Sequence, residues 1–150
     1  MKKSGSLRRA STSSSSSTEG VVVRRSFAGL GLFADRDFRK GERVIEYIGN
    51  RILSSESDTR PNRYLFQVNS KWDIDGSPRW NIARYVNHSC RPNCEAVNRR
   101  GRIFIVSTRA IRKGDEFCYD YGQEYVHEYI RPYGCRCMAC RRTKKRKDPV

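Results

Sequence analysis

The sequence predicts a mostly-β domain with few short helices, and three observations predict it. Short runs rich in β-branched and aromatic residues recur between Gly, Pro, Asn and Asp, which is the pattern of strands separated by turns. The segment Arg36-Asp37-Phe38-Arg39-Lys40-Gly41-Glu42 returns as Arg109-Ala110-Ile111-Arg112-Lys113-Gly114-Asp115 at an offset of 73, and each copy leads into a run that ends in glycine, at Gly49 and Gly122. A repeated turn with its following strand suggests a pseudo-symmetric β arrangement. Between them, Asn87-His88-Ser89-Cys90-Arg91-Pro92-Asn93-Cys94 is too rich in Asn, Ser and Pro for a helix interior or a central strand. Such a segment is held by side-chain hydrogen bonds, and irregular polar backbone beside apolar strands is where function concentrates.

Taken in order, residues 1–20 carry Lys2, Lys3, Arg8 and Arg9 and then a polar run from Ser11 to Thr18, so a disordered basic and Ser-rich tail is expected there. Within it Arg8-Arg9-Ala10-Ser11 suits a basic-directed kinase. Strands are expected at 21–24, 43–48, 64–68, 94–98, 102–107 and 116–119. Arg99-Arg100-Gly101 suggests a hairpin between two of them. Residues 80–86 and 123–129 have room for a helical turn or two, and 53–62 reads as a loop. From Arg141 to Lys147 six of seven residues are basic, a block that repels itself and stays solvated. The expected division is a tail at 1–20, a domain at 21–131, a cysteine-bearing segment at 132–142 and a basic tail at 143–150.

The chain has 31 Lys or Arg against 16 Asp or Glu, a net charge of +15, but residues 21–140 hold only +7 of it. More than half the excess lies in the ends. Such charge attracts phosphates and acidic surfaces without sequence specificity, so nonspecific nucleic-acid contact through the tails is an expected partnership, and the terminal basic block also fits a nuclear-import signal. No apolar stretch approaches the ~20 residues that span a bilayer, and the start lacks the apolar segment of a secretory signal. The expectation is therefore an intracellular protein with no membrane partner.

Cys135, Cys137 and Cys140 form a C-x-C-x-x-C cluster in a segment too polar to fold by burial. Three clustered thiols cannot pair among themselves without a remainder, whereas structural Zn²⁺ takes four ligands in a tetrahedron. The fourth candidates are Cys90, Cys94, His88 and His127. Cys118, between Phe117 and Tyr119 in a strand, is expected as a small core residue.

Gly29-Leu30-Gly31-Leu32-Phe33-Ala34, Glu46-Tyr47-Ile48-Gly49, Ala83-Arg84-Tyr85-Val86-Asn87-His88-Ser89-Cys90-x-Pro92-Asn93, Gly114-Asp115-Glu116 with Tyr119-Asp120-Tyr121-Gly122, and the closing cysteine cluster stand in the order of another set of proteins. Over about residues 21–140 the chain resembles a SET-domain protein lysine methyltransferase with a post-SET zinc motif. Two departures stand out: residues 1–20 contain no cysteine where many members carry a cysteine-rich region, and the second gap of the final cluster is two residues rather than the commoner four.

The resemblance implies short curved sheets with a knot-like closure after Asn87. It implies transfer of a methyl group from S-adenosylmethionine to a lysine ε-amine of a protein partner, a histone tail or another basic protein, in nuclear chromatin for a eukaryotic or translocated protein and otherwise in the cytoplasm. By position, Tyr121 resembles the catalytic tyrosine, Tyr47 and Phe66 resemble walls of the lysine channel, and Tyr119 resembles the residue that limits the number of methyl groups, here to one or two. Leu30, Gly31, Leu32, Tyr64, Arg84, Asn87 and His88 resemble the cofactor-binding set, and Cys90 the fourth zinc ligand. A free lysine is protonated at neutral pH, so a desolvated aromatic channel that favours the neutral amine makes chemical sense. Acidic recognition of a basic substrate would have to be local, through residues such as Asp73, Asp75, Glu124 and Glu128. The competing reading is a non-catalytic chromatin or nucleic-acid binding module, and the presence of Tyr121, Asn87 and His88 argues against it.

Overall fold

The structure is a computed structural model that describes residues 2, 3, 6, 7 and 18–145. The kinase-type motif at 8–11 and the end of the basic block lie outside the described residues. Eleven strands are present among them: β1 (Ser6–Leu7), β2 (Val21–Ser26), β3 (Gly29–Ala34), β4 (Arg43–Tyr47), β5 (Asn50–Leu53), β6 (Leu65–Gln67), β7 (Trp72–Asp75), β8 (Asn87–His88), β9 (Cys94–Arg99), β10 (Arg102–Ser107) and β11 (Cys118–Tyr119). They form a four-stranded sheet in the order β1-β9-β10-β4, a three-stranded sheet β5-β7-β6, the hairpin β2-β3, and a parallel pair β11-β8. A mostly-β fold with short helices is what the sequence predicts.

Alternation along β10 sorts its apolar residues between two faces. Ile103 and Ile105 join the main core with Leu32, Val44, Ile45, Phe66 and Phe117, while Phe104 and Val106 pack with Val97 on the opposite face. The Arg43 guanidinium lies 3.9 Å from the Phe104 ring centre and Arg102 5.1 Å, so that smaller cluster is lidded by cations. The expected hairpin closes β9 onto β10 with Arg99 opposite Arg102, and its two loop residues, Arg100 and Gly101, have φ of 53° and 83°. Both positive angles match the right-handed strand twist at a two-residue turn.

The duplicated turns are partners as well as copies. Phe38 and Ile111, equivalent at the offset of 73, exchange both backbone hydrogen bonds at 2.7 and 2.9 Å. The Glu42 carboxylate accepts from the Arg39 amide, the Asp115 carboxylate accepts from the Arg112 amide, and Gly41 and Gly114 share positive φ. This local two-fold relation joins the strand that leads to Tyr47 with the segment that leads to Tyr121.

The closure after Asn87 is a parallel pairing of β8 with β11, Asn87 opposite Cys118 and His88 opposite Tyr119. Asn93 locks it: its Nδ2 donates to the Glu116 carbonyl at 2.9 Å, its Oδ1 accepts from the Cys118 amide at 2.9 Å, and its amide donates to the Cys118 carbonyl.

Some local expectations change. Residues 53–62 contain a helix, α1 (Ser54–Thr59), because Ser54 and Ser57 turn their hydroxyls onto the Asp73 carboxylate. The helical expectation at 80–86 appears as a 3₁₀ turn, Ile82–Tyr85, and that at 123–129 as α2 (Gln123–Tyr125) running into a π turn, Val126–Ile130. The basic block does not stay apart, since α3 (Met138–Lys145) enters it and stacks the Arg141 guanidinium 3.6 Å from the Phe27 ring centre. Residues 1–20 are not wholly a free tail either: Lys3 is paired to β6 and β1 to β9. No helix among the described residues is long and apolar enough to cross a membrane.

Candidate active site

A cleft of about 1560 Å³ runs between the β2-β3 turn, the segment 84–90 and the C-terminal segment, and Tyr121 and Lys3 lie on its wall. Large apolar side chains are left exposed around it, among them Phe27, Leu30, Tyr133 and Met138. Exposed aromatics and aliphatics converging on a concave surface with a few polar groups are the usual makings of a small-molecule site.

Its floor is built by Glu116, whose importance the motif reading did not single out. The Glu116 carboxylate accepts from Asn87 Nδ2 at 2.9 Å and from Ser26 Oγ at 2.9 Å, and Asn87 Nδ2 also donates to the Leu30 carbonyl at 3.0 Å. Three elements are thereby tied together at one carboxylate. A Cβ on Gly31 would sit 2.3 Å from Glu116 Oε1, so a larger residue there displaces the carboxylate from its bonds to Asn87 and Ser26. Of the expected cofactor set, Leu30, Tyr64, Arg84, Asn87 and His88 line the cleft. Gly31 and Leu32 do not: Gly31 lies against Glu116, and the Leu32 side chain is fully buried in the core with its carbonyl accepting from the Phe117 amide. Arg84 stacks 4.0 Å from the Tyr64 ring centre and donates to the Ser77 carbonyl. His88 Nδ1 accepts from the Tyr121 amide at 3.2 Å, and burial lowers its pKa against the pull of Asp120.

Beyond the cleft the tyrosines form a cage. The ring of Tyr121 lies 4.8 Å from that of Tyr119 and 4.9 Å from that of Tyr125, while Tyr47 packs on Phe66 at 5.3 Å. Hydroxyls pin the rings in place: Tyr47 donates to the Tyr64 carbonyl at 2.7 Å, Tyr125 to the Arg63 carbonyl at 2.9 Å, and Tyr121 to the Val86 carbonyl. The buried Tyr119 hydroxyl has no partner among the described residues. Burial raises the phenol pKa of Tyr47, Tyr119 and Tyr121, with mutual repulsion among the tyrosines adding to it, so all three stay protonated near neutrality. Inside the cage sits an amine. Lys3 Nζ lies 4.2 Å from the ring centre of Tyr121, 5.3 Å from Tyr125, 5.5 Å from Tyr47 and 6.0 Å from Tyr64. Burial pushes its pKa down to about 7. Neither Tyr125 nor Lys3 was singled out from the sequence; the position of Tyr125 in a short helical turn after Gly122 was the available signal.

Cys90, Cys135, Cys137 and Cys140 bring their sulfurs within 4.8 Å of one another, with Cys90 Sγ 3.8 Å from Cys135 Sγ and 3.6 Å from Cys140 Sγ. Four sulfurs about 2.3 Å from a central Zn²⁺ have edges of about 3.8 Å, so the set fits the ion. A disulfide places sulfurs at about 2 Å, and all four thiols are free. The Cys137 thiol is held at about 6: burial opposes this, and hydrogen bonds from the Cys90 and Cys140 backbone amides and neighbouring thiols achieve it. Of the other candidates, Cys94 is buried at the start of β9, His127 is exposed, and His88 is engaged by Tyr121. Cys118 is only partly buried, its Sγ against Asn93 rather than in the core.

The family profile of the SET domain matches residues 29–122. Histone-lysine N-methyltransferase 2D of Homo sapiens is 37% identical over 134 residues, covering 81% of this chain and 2% of that protein. The "Histone-lysine N-methyltransferase, H3 lysine-4 specific" of Schizosaccharomyces pombe is 39% identical over 125 residues, 75% of this chain and 14% of that protein. Histone-lysine N-methyltransferase trithorax of Drosophila melanogaster is 35% identical over 133 residues, 81% of this chain and 4% of that protein. The chain therefore spans a small fraction of the length of these relatives. Over most of its own length it belongs to the SET domain family.

Proposed function

We propose that the chain is a protein-lysine N-methyltransferase that takes its methyl group from S-adenosylmethionine and acts on histone tails or similar basic protein segments in chromatin. The observation that carries this reading is a lysine amine, stripped of water and lowered to about 7, lying among four tyrosine rings on the wall of a cleft with room for a second ligand. Membership of the SET domain family and the histone-lysine methyltransferase names of the relatives support it.

The bound donor supplies an electrophilic methyl group; the protein supplies alignment, desolvation and a neutral nucleophile. Leu30, the Gly31 backbone, Tyr64, Arg84, Asn87 and His88 hold the donor, with Asn87 acting chiefly by fixing the Leu30 carbonyl. Tyr47, Phe66, Tyr121 and Tyr125 wall the lysine, and the burial they impose favours its unprotonated amine. Tyr119 projects a hydroxyl with no partner among the described residues, which takes a water or the amine itself as partner and occupies space that a second or third methyl group needs, so the product is mainly monomethyl-lysine. One Zn²⁺ on Cys90, Cys135, Cys137 and Cys140 joins segments 45 residues apart and holds the C-terminal segment over the cleft. Exposed Arg142 and Lys144 on α3 support nonspecific phosphate contact by that end.

Calorimetry with S-adenosylmethionine, followed by labelled-methyl transfer to a panel of histones and other basic proteins, tests the reading. Binding of the donor with label recovered as methyl-lysine is expected. Donor binding without any methyl-lysine favours the non-catalytic module, and no donor binding by zinc-loaded protein rejects the site assignment.

A further inference from the structure

The described N-terminal residues cross two strand edges. The Lys3 amide donates to the Leu65 carbonyl at 3.2 Å and its carbonyl accepts from the Gln67 amide at 2.8 Å, a parallel addition to β6, the edge of its sheet. Ser6 and Leu7 then pair in parallel with Val97 and Asn98 of β9, which is an edge without them. Two open strand edges met in succession suit an extended peptide: main-chain bonds hold it, and pockets on either side read alternate side chains.

The two neighbouring lysines are treated oppositely. Lys2 Nζ lies 2.8 Å from Asp73 and 2.8 Å from Asp58 and donates to the Ser54 carbonyl at 3.4 Å. Asp73 is fully buried and already accepts from the Ser54 and Ser57 hydroxyls, so the pocket is built around a carboxylate that needs a cation. Burial alone lowers the Lys2 pKa, but these carboxylates override it and hold it above the ordinary lysine value. Lys3 goes into the cage, 1% exposed, with no carboxylate ion-paired to it among the described residues. One lysine is kept as an ammonium and the next is prepared as a nucleophile.

We propose that the N-terminal segment occupies the substrate groove of its own chain, and that Lys3 is methylated in cis and excludes other lysines while it is docked. This rests on the methyltransferase reading above. The same pockets define the substrate class: an extended peptide with a basic residue immediately before the target lysine. In the step itself, Lys3 Nζ first gives its proton to solvent. Its lone pair then forms an N–C bond to the sulfonium methyl, the S–C bond breaks with its electron pair remaining on sulfur, and a thioether leaves.

The test uses the zinc-loaded full chain with S-adenosylmethionine and peptide-level mass spectrometry. The expected result is a methyl increment on Lys3 and none on Lys2, with a rate constant unchanged by tenfold dilution of the protein. Lys3→Ala, which vacates the cage, lowers the apparent KM for an external Arg-Lys peptide by at least ~10-fold, because a tethered competitor acts at an effective concentration near the millimolar range. Replacing the arginine of that peptide by alanine raises its KM in the same variant. A readout independent of turnover is acylation of amines by a small ester without the donor: Lys3 is protected relative to exposed Lys113, and Asp73→Asn removes the protection. An unmodified, unprotected Lys3 with unchanged KM in Lys3→Ala, while the external peptide is methylated, overturns the proposal and leaves the methyltransferase reading standing. Methylation of Lys3 that slows in proportion to dilution overturns docking in cis. Failure of donor binding and of all transfer strikes the methyltransferase reading instead.

Discussion

Tyr119 ends in a buried hydroxyl with no partner among the described residues, an arrangement that costs stability unless a ligand or water completes it. Tyr119→Phe therefore leaves folding stability unchanged or slightly higher, within about 0.5 kcal/mol. The same change frees room at the end of the lysine cage, and mass spectrometry of one peptide is expected to show products moving from monomethyl toward di- and trimethyl-lysine. Glu116 is the opposite case, a carboxylate with every role filled by Asn87 and Ser26. Glu116→Ala removes charge-assisted bonds worth about 1.5–3 kcal/mol together, frees the β2-β3 turn, and weakens binding of the methyl donor about tenfold by calorimetry, while Tyr121 stays in place. The sequence made Tyr119 legible through its motif but not Glu116, because a carboxylate whose partners come from two distant segments leaves no local pattern.

Among the elements, the C-terminal segment depends most on one group of contacts. Residues 134–144 hold no buried side chain, and they meet the rest of the domain at the four-sulfur cluster and at Arg141 against Phe27. Cys90→Ser is expected to halve or abolish bound zinc by metal analysis and to expose amides after about residue 134 to hydrogen exchange, with β9 and β10 still protected. Full zinc retention by Cys90→Ser reassigns the fourth ligand. The repeated turns were readable because each is a local motif with its own glycine and carboxylate, and their pairing with each other followed. β3, β5 and β7 were not readable, since glycines at 29 and 31 and alternating aspartates at 73 and 75 mask strand propensity. The N-terminal strand was hidden for a different reason: a basic, polar segment has no burial signal of its own, and only the open edges of β6 and β9 order it.

At the scale of the molecule, charge and burial are divided so that a strongly basic chain accepts a lysine. The excess positive charge sits largely in the ends, while the groove presents Asp73 and Asp58 to one lysine and rings to the next. The groups facing Lys3 are the phenols of Tyr47, Tyr64, Tyr121 and Tyr125, and three of these have pKa values raised by burial. Lys3 is the group that titrates. Its pKa is about 7 when docked and about 10.5 when free, so between these values the undocked state binds more protons and docking strengthens as pH rises. Below about pH 7 both states are protonated and the dependence vanishes. Single-turnover methylation of Lys3 is accordingly expected to rise through about pH 7 and level off well short of the free lysine pKa. A profile still climbing at pH 10 contradicts the desolvated cage.

In the proposed mechanism the tyrosine cage presents a neutral lysine amine to a methyl donor held in the adjoining cleft, and Tyr121 stands between cage and cleft. The direct measurement is single-turnover transfer of labelled methyl from saturating S-adenosylmethionine, in wild type and Tyr121→Phe, with donor affinity measured on the same samples. The expected result is label on lysine in the wild type, a rate at least ~10²-fold lower in Tyr121→Phe, and a donor Kd changed by less than about threefold. Transfer by Tyr121→Phe at close to the wild-type rate, or a wild-type protein that binds the donor and labels no lysine, contradicts it.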